Sequence, residues 1–356
     1  MFKEMFTMGT VVKGYAAHSS DTPLVPFTFN RRDLREDDVE IDILYCGICH
    51  TDIHHVRSDW GKEEYPMVPG HEIIGRVTKV GGKVTRFKLG QSVGVGCLVD
   101  SCRECSSCNH HQEQYCDHFV PTYASKDRHD GSPTYGGYSE KIIVSENFVL
   151  HIPENLDLAS SAPLLCAGIT VFSPLRRWNV TSGKKVAVIG LGGLGHMGIK
   201  IAKAMGAEVT LFSRSKGKED DAYALGADNV VISTLESQMQ SVRGTFDLII
   251  DTIPYNHDVN PYINALAPDG ALVLVGYFGA LEPTVETVPL IARGKSLTGS
   301  LIGGLAETQE MLDFCGAHNV VADIELIDIQ EINGAFERLL KSDVKYRFVI
   351  DMQSLK

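Results

Sequence analysis

The chain has 356 residues and a formal charge of −12, from 45 acidic against 33 basic residues, and its basic side chains are scattered rather than clustered as phosphate recognition requires, which excludes nucleic acid as a partner. No apolar run approaches the ~20 residues of a membrane span, and Met1-Phe2-Lys3-Glu4-Met5-Phe6 is too short and too charged for a secretory leader. Single cores stop growing near ~250–300 residues, so two domains in a cytoplasmic chain are expected.

In chain order, residues 39–45 (Val-Glu-Ile-Asp-Ile-Leu-Tyr) alternate apolar and charged side chains. They predict a half-buried strand that ends directly on Cys46-Gly47-Ile48-Cys49-His50. Short strand-like runs at 75–80, 92–95, 138–144 and 148–152, parted by Gly, Pro and Asp turns, predict an irregular all-β lobe through about residue 155, a partly open barrel. Inside it, Cys102, Cys105, Cys108 and Cys116 share one short polar stretch. Thiolates this close repel one another without a cation, and zinc held by four sulfurs at about 2.3 Å closes a site that stiffens a loop without doing chemistry. Two disulfides are the competing account, but nothing argues for export. Nine cysteines, an odd number, suit ligands and core positions better than bridges.

From residue 184 the texture changes. Val186-Ala187-Val188-Ile189 is a continuous apolar run, followed by Gly190-Leu191-Gly192-Gly193-Leu194-Gly195 and a helical stretch over 194–205, the opening of a βαβ unit. Glycines there let the backbone approach a pyrophosphate at the positive end of a helix; a plain turn between core elements is the alternative. Apolar runs at 209–212, 230–232, 248–250 and 272–275, with helical stretches between several of them, predict a parallel doubly wound sheet. After the second run stand Ser213, Arg214 and Ser215, where an NAD site would place an acid, with Lys216 and Lys218 close behind. Hydroxyls and cations suit a 2′-phosphate, so NADP(H) is expected over NAD(H), a solvated polar strand end being the other reading. The last sixty or so residues are less diagnostic, and no internal repeat stands out.

Cys49, His71 and Cys166 cannot be grouped by spacing, although each sits at a turn. Taken in order, Cys46-Gly47-Ile48-Cys49-His50-Thr51-Asp52, Gly70-His71-Glu72, the four-cysteine stretch, Leu165-Cys166-Ala167-Gly168-Ile169-Thr170 and the glycine turn resemble the zinc-dependent medium-chain alcohol dehydrogenases. Gly299-Ser300-Leu301-Ile302-Gly303-Gly304 and Tyr346-Arg347-Phe348-Val349-Ile350-Asp351 carry the likeness to the cinnamyl alcohol dehydrogenase branch over nearly the whole chain. The resemblance implies an α/β chain with a GroES-like β-barrel catalytic domain at 1–155, completed by 299–356, around a doubly wound Rossmann cofactor domain at 156–298, with the active site in the cleft.

The resemblance further implies two zinc ions per chain, the second held by Cys49, His71 and Cys166 with one position open, Cys₂His being the set known for alcohol dehydrogenases. Asp52 is similar to the carboxylate that orients the ligating histidine, and Glu72 lies near the metal. Read without the resemblance, these are equally well core thiols, a satisfied imidazole and solvated carboxylates. By the same likeness Thr51 passes a proton through the cofactor ribose to His54, histidine being the side chain that titrates near neutrality, while His55 is the competing candidate, expected at the surface. Cys46 and Cys49 also spell Cys-x-x-Cys, but a redox motif of that kind should open a helix in a quite different small fold. Thr170, Thr252, Gly276 and Ser300 match nicotinamide-side contacts. Trp60, Tyr123, Leu301 and Ile302 fall in segments lining an apolar pocket suited to hydrophobic primary alcohols and their aldehydes, although each reads equally as core.

The resulting expectation is a cytoplasmic homodimer that transfers hydride reversibly between NADPH and an aromatic or aliphatic aldehyde. Two alternatives compete with it. One is reduction of a conjugated double bond on the same fold, against which Thr51 and His54 speak. The other is a non-enzymatic zinc- and cofactor-binding protein, against which the complete set of Cys49, His71 and Cys166 speaks.

Overall fold

One long strand, Asp38–Gly47, organises the N-terminal half of the computed structural model, which describes residues 9–276 and 279–355. The leader expectation for residues 1–6 lies outside the described residues. Asp38–Gly47 pairs antiparallel with Ile73–Val80, with Lys141–Ser145 and, at its far end, with Arg347–Asp351, where Ile350 sits opposite Cys46. The seven-stranded sheet runs Leu150–His151, Ser92–Val95, Ile73–Val80, Asp38–Gly47, Arg347–Asp351, Ile324–Asp328, with Lys141–Ser145 branching from the long strand.

The alternation in residues 39–45 turns one of its two charges, Asp42, toward water, its side chain 47% exposed, but not Glu40 or the preceding Asp38. Glu40 and Asp38 are buried, because partner strands cover both ends of the long strand. Their charges are matched instead: Glu40 accepts from Lys79 Nζ at 3.0 Å and Thr78 Oγ1 at 3.0 Å, and Asp38 pairs with Arg32. The predicted strand at 148–152 is likewise broken, into the 3-10 turn Glu146–Phe148 and the two-residue strand Leu150–His151.

The chain divides into two compact units, one comprising Met1–Cys166, Gly304–Gly316 and Val321–Lys356, the other Ala167–Gly303 and Ala317–Val320. The breaks fall at 166/167 and 303/304 rather than at 155/156 and 298/299. Burial explains the first shift. Ala159, Ala162, Leu164 and Leu165 of the turns Leu158–Ser161 and Ala162–Leu165 pack on the strands of the first unit.

The second unit is built on six parallel strands ordered Asn229–Ile232, Glu208–Ser213, Lys185–Ile189, Phe246–Asp251, Leu266–Leu274, Ser296–Gly299. In chain order this is 3-2-1-4-5-6, the dinucleotide-binding arrangement, whose order reverses beside Lys185–Ile189. Val186, Ala187, Val188 and Ile189 are all buried because helices cover both faces of a parallel sheet. Phe212 anchors one face, its ring 5.4 Å from Phe246 and 5.1 Å from Tyr262. No single helix among the described residues is long and apolar enough to cross a membrane.

Candidate active site and metal centres

The four-cysteine stretch folds back on itself so that one sulfur from each of Cys102, Cys105, Cys108 and Cys116 lies within 4.8 Å of the others. Backbone N–H groups turn toward these sulfurs. Cys105 N–H donates to Cys102 Sγ at 3.2 Å, Cys108 N–H to Cys105 Sγ at 3.5 Å, and His118 N–H to Cys116 Sγ at 3.3 Å. Such donors favour thiolate, and the N–H groups of Glu104 and Cys105 draw Cys102 down to about 6, whereas burial pushes Cys116 up to about 11. The nine cysteines are all free, so no disulfide ties this lobe. Four sulfurs converging under N–H donors fit a closed tetrathiolate zinc site.

The second cluster is assembled from three distant turns. Cys49 lies two residues past the long strand, at the N-cap of the helix His50–Val56, His71 and Glu72 precede Ile73–Val80, and Cys166 follows Ala162–Leu165. Ligand atoms of Cys49, His71, Glu72 and Cys166 all lie within 4.8 Å of one another, with the two sulfurs 3.9 Å apart. Gly70, at φ +102°, makes the approach of His71 possible. A Cβ there would lie 2.7 Å from the Tyr138 ring and 2.8 Å from Cys46 Sγ.

Asp52 is the hub behind this cluster. It is fully buried and accepts from Cys49 N–H at 2.9 Å, Gly70 N–H at 3.2 Å and Tyr138 Oη at 3.0 Å, and its Oδ1 lies 3.1 Å from His71 Nδ1. The imidazole is thereby fixed, with Nε2 its free ligating nitrogen. Burial opposes a charged His71, but Asp52 raises its pKa well above the ordinary value. Cys49 is held well below the usual thiol range, first by its contact with Cys166. Glu72 is fully buried and ion-paired with Arg347, while its Oε2 has no hydrogen-bond partner. Burial pushes this carboxyl up to about 7 against the pull of Arg347. Two facing sulfurs, an oriented imidazole and an orphaned carboxylate oxygen fit a divalent metal.

In the second unit, Gly190 at φ +89° turns the chain from Ile189 into the helix Gly193–Ala204. A Cβ on Gly195 would lie 2.0 Å from the Gly190 carbonyl oxygen, and Gly192 at the N-cap faces open space. The helix end is thus open to an anionic group. Thr252 Oγ1 donates to the Ile189 carbonyl at 2.7 Å, and a Cβ on Gly276 would lie 2.1 Å from the Ile253 carbonyl oxygen. Ser213 closes the second strand with its hydroxyl on the Ser215 carbonyl at 2.8 Å; Arg214 is exposed, and Lys218 Nζ donates to the Leu191 carbonyl in the glycine turn at 2.7 Å. Thr170 is buried in the helix Ala167–Arg177, and Ser300 N–H donates to the Leu274 carbonyl at 3.1 Å.

Residues 35–154 match the alcohol dehydrogenase GroES-like domain, and residues 193–317 match the zinc-binding dehydrogenase domain. Over 98% of its length the chain is 53% identical to the NADP-dependent alcohol dehydrogenase C 1 of Mycolicibacterium smegmatis, 99% of which is covered. The chain belongs to the zinc-dependent medium-chain alcohol dehydrogenases. It is also 49% identical to the aldehyde reductase YahK of Escherichia coli, over 97% of this chain and 99% of that protein. A cinnamyl alcohol dehydrogenase from Sorghum bicolor superposes with a TM-score of 0.92 at 46% identity, over 97% and 98% of the two chains, which sets the present dehydrogenase in the cinnamyl branch. A CAD from Helicobacter pylori complexed with NADP(H) superposes at 0.91 with 44% identity, over 97% and 99%.

Around the metal cluster of the dehydrogenase, the helix His50–Val56 carries Thr51, half-buried, and His54, whose Nδ1 lies 2.8 Å from Asp59 Oδ2 while its ring stacks on Trp60 at 4.8 Å. His55, expected at the surface, is half-buried, as His54 is. Its Nδ1 lies 2.6 Å from Glu63 Oε1, its ring meets Trp60 and Tyr123 edge-on, and its side chain is 28% exposed against 26% for His54. Tyr123 is buried and stacked 5.8 Å from the His71 ring. Leu301 and Ile302 belong to the second unit, Leu301 being exposed. Cys46 is fully buried, and burial pushes its thiol well above the ordinary range, the opposite of a redox-active cysteine.

Three neighbours of the cluster complete it, Arg347 lying in the Tyr346–Asp351 segment that carries the family likeness. Arg347 and Tyr138 support Glu72 and Asp52 across 275 and 86 residues of sequence. Cys97, just beyond the strand Ser92–Val95, has its sulfur 3.8 Å from the Leu165 carbonyl and its pKa lowered, first by contact with Cys166. A cysteine closing Gly94-Val95-Gly96-Cys97 was the available signal.

Proposed function

We propose that this chain is a zinc-dependent NADP(H) alcohol dehydrogenase that interconverts a small aromatic or aliphatic aldehyde and its primary alcohol. The observation that carries the reading is the buried convergence of Cys49, His71, Glu72 and Cys166 around one point, with Asp52 fixing the imidazole. Bound there, zinc would supply Lewis acidity to the carbonyl oxygen, and NADPH would supply the hydride. Cys49 and Cys166, as thiolates, would balance the divalent charge, and Glu72 would offer Oε2. Thr51 would hold the proton at its hydroxyl, and His54, propped by Asp59, would exchange it with solvent while Tyr123 and Trp60 help exclude water. Gly190, Gly192, Gly193, Leu194 and Gly195 would cradle the pyrophosphate, Ser213, Arg214 and Lys218 would hold the 2′-phosphate, and Thr170, Thr252, Gly276 and Ser300 would border the nicotinamide. Cys102, Cys105, Cys108 and Cys116 would hold a second, structural zinc.

The assembly we propose is a cytoplasmic homodimer. Nine free thiols suit a reducing compartment. Ser296–Gly299 is an edge strand of the cofactor sheet, and Val288 and Ile291 nearby are 72% and 80% exposed, an apolar edge suited to sheet extension between two copies.

The test is steady-state reduction of cinnamaldehyde, benzaldehyde and a medium aliphatic aldehyde with NADPH and NADH side by side. Fast turnover with NADPH and little with NADH is expected, and Cys166→Ser should abolish it while the protein stays folded. Absence of turnover with every aldehyde in zinc-replete protein would refute the reading and shift weight to reduction of a conjugated double bond. Ser213→Asp should weaken NADPH binding selectively; an equal loss for NADH would remove the phosphate assignment.

A further inference from the structure

The strand Phe246–Asp251 ends in a carboxylate with no part in the chemistry above. Asp251 is fully buried at the carboxyl edge of the cofactor sheet, and its Oδ1 accepts from Ile253 N–H at 3.1 Å. Opposite it lies His257, whose Nε2 is 2.9 Å from Asp251 Oδ2 and whose Nδ1 is 3.0 Å from the Tyr255 carbonyl oxygen. The contact of Nδ1 with the Tyr255 carbonyl is a hydrogen bond, whereas Nε2 meets Asp251 Oδ2 as an ion pair by distance, outside hydrogen-bond alignment. Its attraction is therefore that of a charged ring for a buried carboxylate, and a neutral ring loses it. Burial works against the charge, but Asp251 raises the His257 pKa, with the Tyr255 carbonyl and Asp258 acting in the same direction. The Tyr262 ring packs on His257 at 6.1 Å, and Arg214 approaches the same neighbourhood through Tyr255.

The short segment closed by this contact bears on the cofactor site at two points. At its start, Thr252 is bonded to the Ile189 carbonyl, and a Cβ on Gly190 would meet Ile253 Cδ1 at 2.7 Å and Thr252 Oγ1 at 3.3 Å. At its other end, the Arg214 guanidinium lies over the Tyr255 ring at 5.6 Å. The glycine turn and the cation assigned to the 2′-phosphate are thus both braced by residues 252–255.

We propose that His257, as an imidazolium held against Asp251, is a positioning residue that sets NADP(H) affinity by fixing residues 252–255 against the glycine turn and Arg214. The inference rests on the NADP(H) reading above. When the ring loses its proton, one end of the segment is released and a smaller fraction of the protein is competent to bind. Apparent affinity falls by that fraction.

The experiment is a fluorescence titration of NADPH into the full chain across about pH 6 to 9, for wild type and His257→Gln, with a thermal melt of each. Glutamine offers a neutral donor that does not titrate in this range. The 2′-phosphate titrates near pH 6 in both proteins, so the ratio of their Kd values at each pH isolates His257. The expected result is a wild-type Kd that rises about tenfold above neutral pH, while His257→Gln binds about tenfold more weakly at low pH and is flat above neutrality, so that the ratio closes as pH rises. A ratio constant across the range, the signature of a merely structural role, overturns the proposal. Should the variant fail to fold, the wild-type profile decides alone, and a flat limb above pH 7 overturns it. Tight binding with a flat profile sinks only the role of His257, whereas no NADPH binding at any pH sinks the cofactor reading beneath it.

Discussion

Arg347→Met isolates the Glu72–Arg347 pair behind the metal cluster. Arg347 is 3% exposed and Glu72 0%, so water can replace neither partner. Removing one member of a buried pair costs about 3–5 kcal/mol when the survivor keeps its charge. Glu72 has an escape. Burial holds its carboxyl at about 7 even with Arg347 pulling it down, so without the guanidinium it takes up a proton at neutral pH. The folded pKa lies above the unfolded value of ~4.3, so this group's contribution is fully present below ~4.3 and is lost as pH rises through the folded pKa, at about 1.4 kcal/mol per unit. In the wild type that loss stops near about 7 and totals about 3–4 kcal/mol at most. In Arg347→Met it continues beyond 7, so the deficit relative to wild type grows with pH.

The assay is urea unfolding of wild type, Arg347→Met, Glu72→Gln and the double variant at about pH 5, 7 and 9, after dialysis against chelator so that metal does not compete for Glu72. Arg347→Met should be near wild type at the lowest pH and worse by about 3 kcal/mol or more at the highest, and the double variant should recover most of that difference. A deficit independent of pH, or a double variant no better than Arg347→Met, would show that the guanidinium acts through packing and not through the Glu72 charge.

Three further changes probe the other assignments. Asp52→Asn puts an amide N–H₂ among the Cys49, Gly70 and Tyr138 donors, so zinc at Cys49, His71 and Cys166 should bind about 10–100-fold more weakly in a chelator competition; unchanged affinity would mean that Asp52 does not orient the ligand. Cys105→Ser should lower the bound zinc measured by atomic absorption by one per chain and lower the melting temperature, while activity per folded molecule survives; loss of turnover without loss of stability would contradict a structural role. Gly195→Ala drives a Cβ to 2.0 Å from the Gly190 carbonyl oxygen, and because the contact is with backbone the turn must open; a tenfold or greater loss in NADPH affinity by calorimetry is expected, and an unchanged Kd would place the cofactor elsewhere.

Features encoded over a few residues are legible in the sequence, and those that depend on distant pairings are not. The strand Ser92–Val95 falls on its predicted residues, and the apolar run at 209–212 lies within Glu208–Ser213, because period and turn chemistry act over a few residues. The four-cysteine lobe closes within fifteen residues, Cys102 through Cys116, so its spacing was enough. Arg347 is different. It reaches Glu72 only because Arg347–Asp351 adds to the sheet beside Asp38–Gly47, a pairing nothing near either strand encodes. The N-terminal hairpin Val11–Ala16 with Val25–Asn30 is also illegible locally, its outward residues Val11 and Val25 being apolar and exposed, which blurs the period-two signal. Glu40 and Asp38 mislead for the reverse reason, since charged residues on a strand imply solvent until a distant Lys79 or a nearby Arg32 folds over them.

The same non-locality accounts for the metal cluster's chemistry. Cys49, Cys97, Cys166, Glu72 and Asp52 bring five ionisable acids to one place, where the Arg347 guanidinium and the His71 imidazole stand against them. Without metal the surplus is carried by protons: Glu72 titrates near about 7, and Cys166 is pushed up while its neighbours Cys49 and Cys97 are pushed down. Each proton held there marks a charge that water cannot solvate and protein does not neutralise. A divalent cation releases those protons and supplies the missing charge in one step, which is why groups so costly to bury can sit together and why metal affinity should rise steeply with pH through the range in which Glu72 ionises.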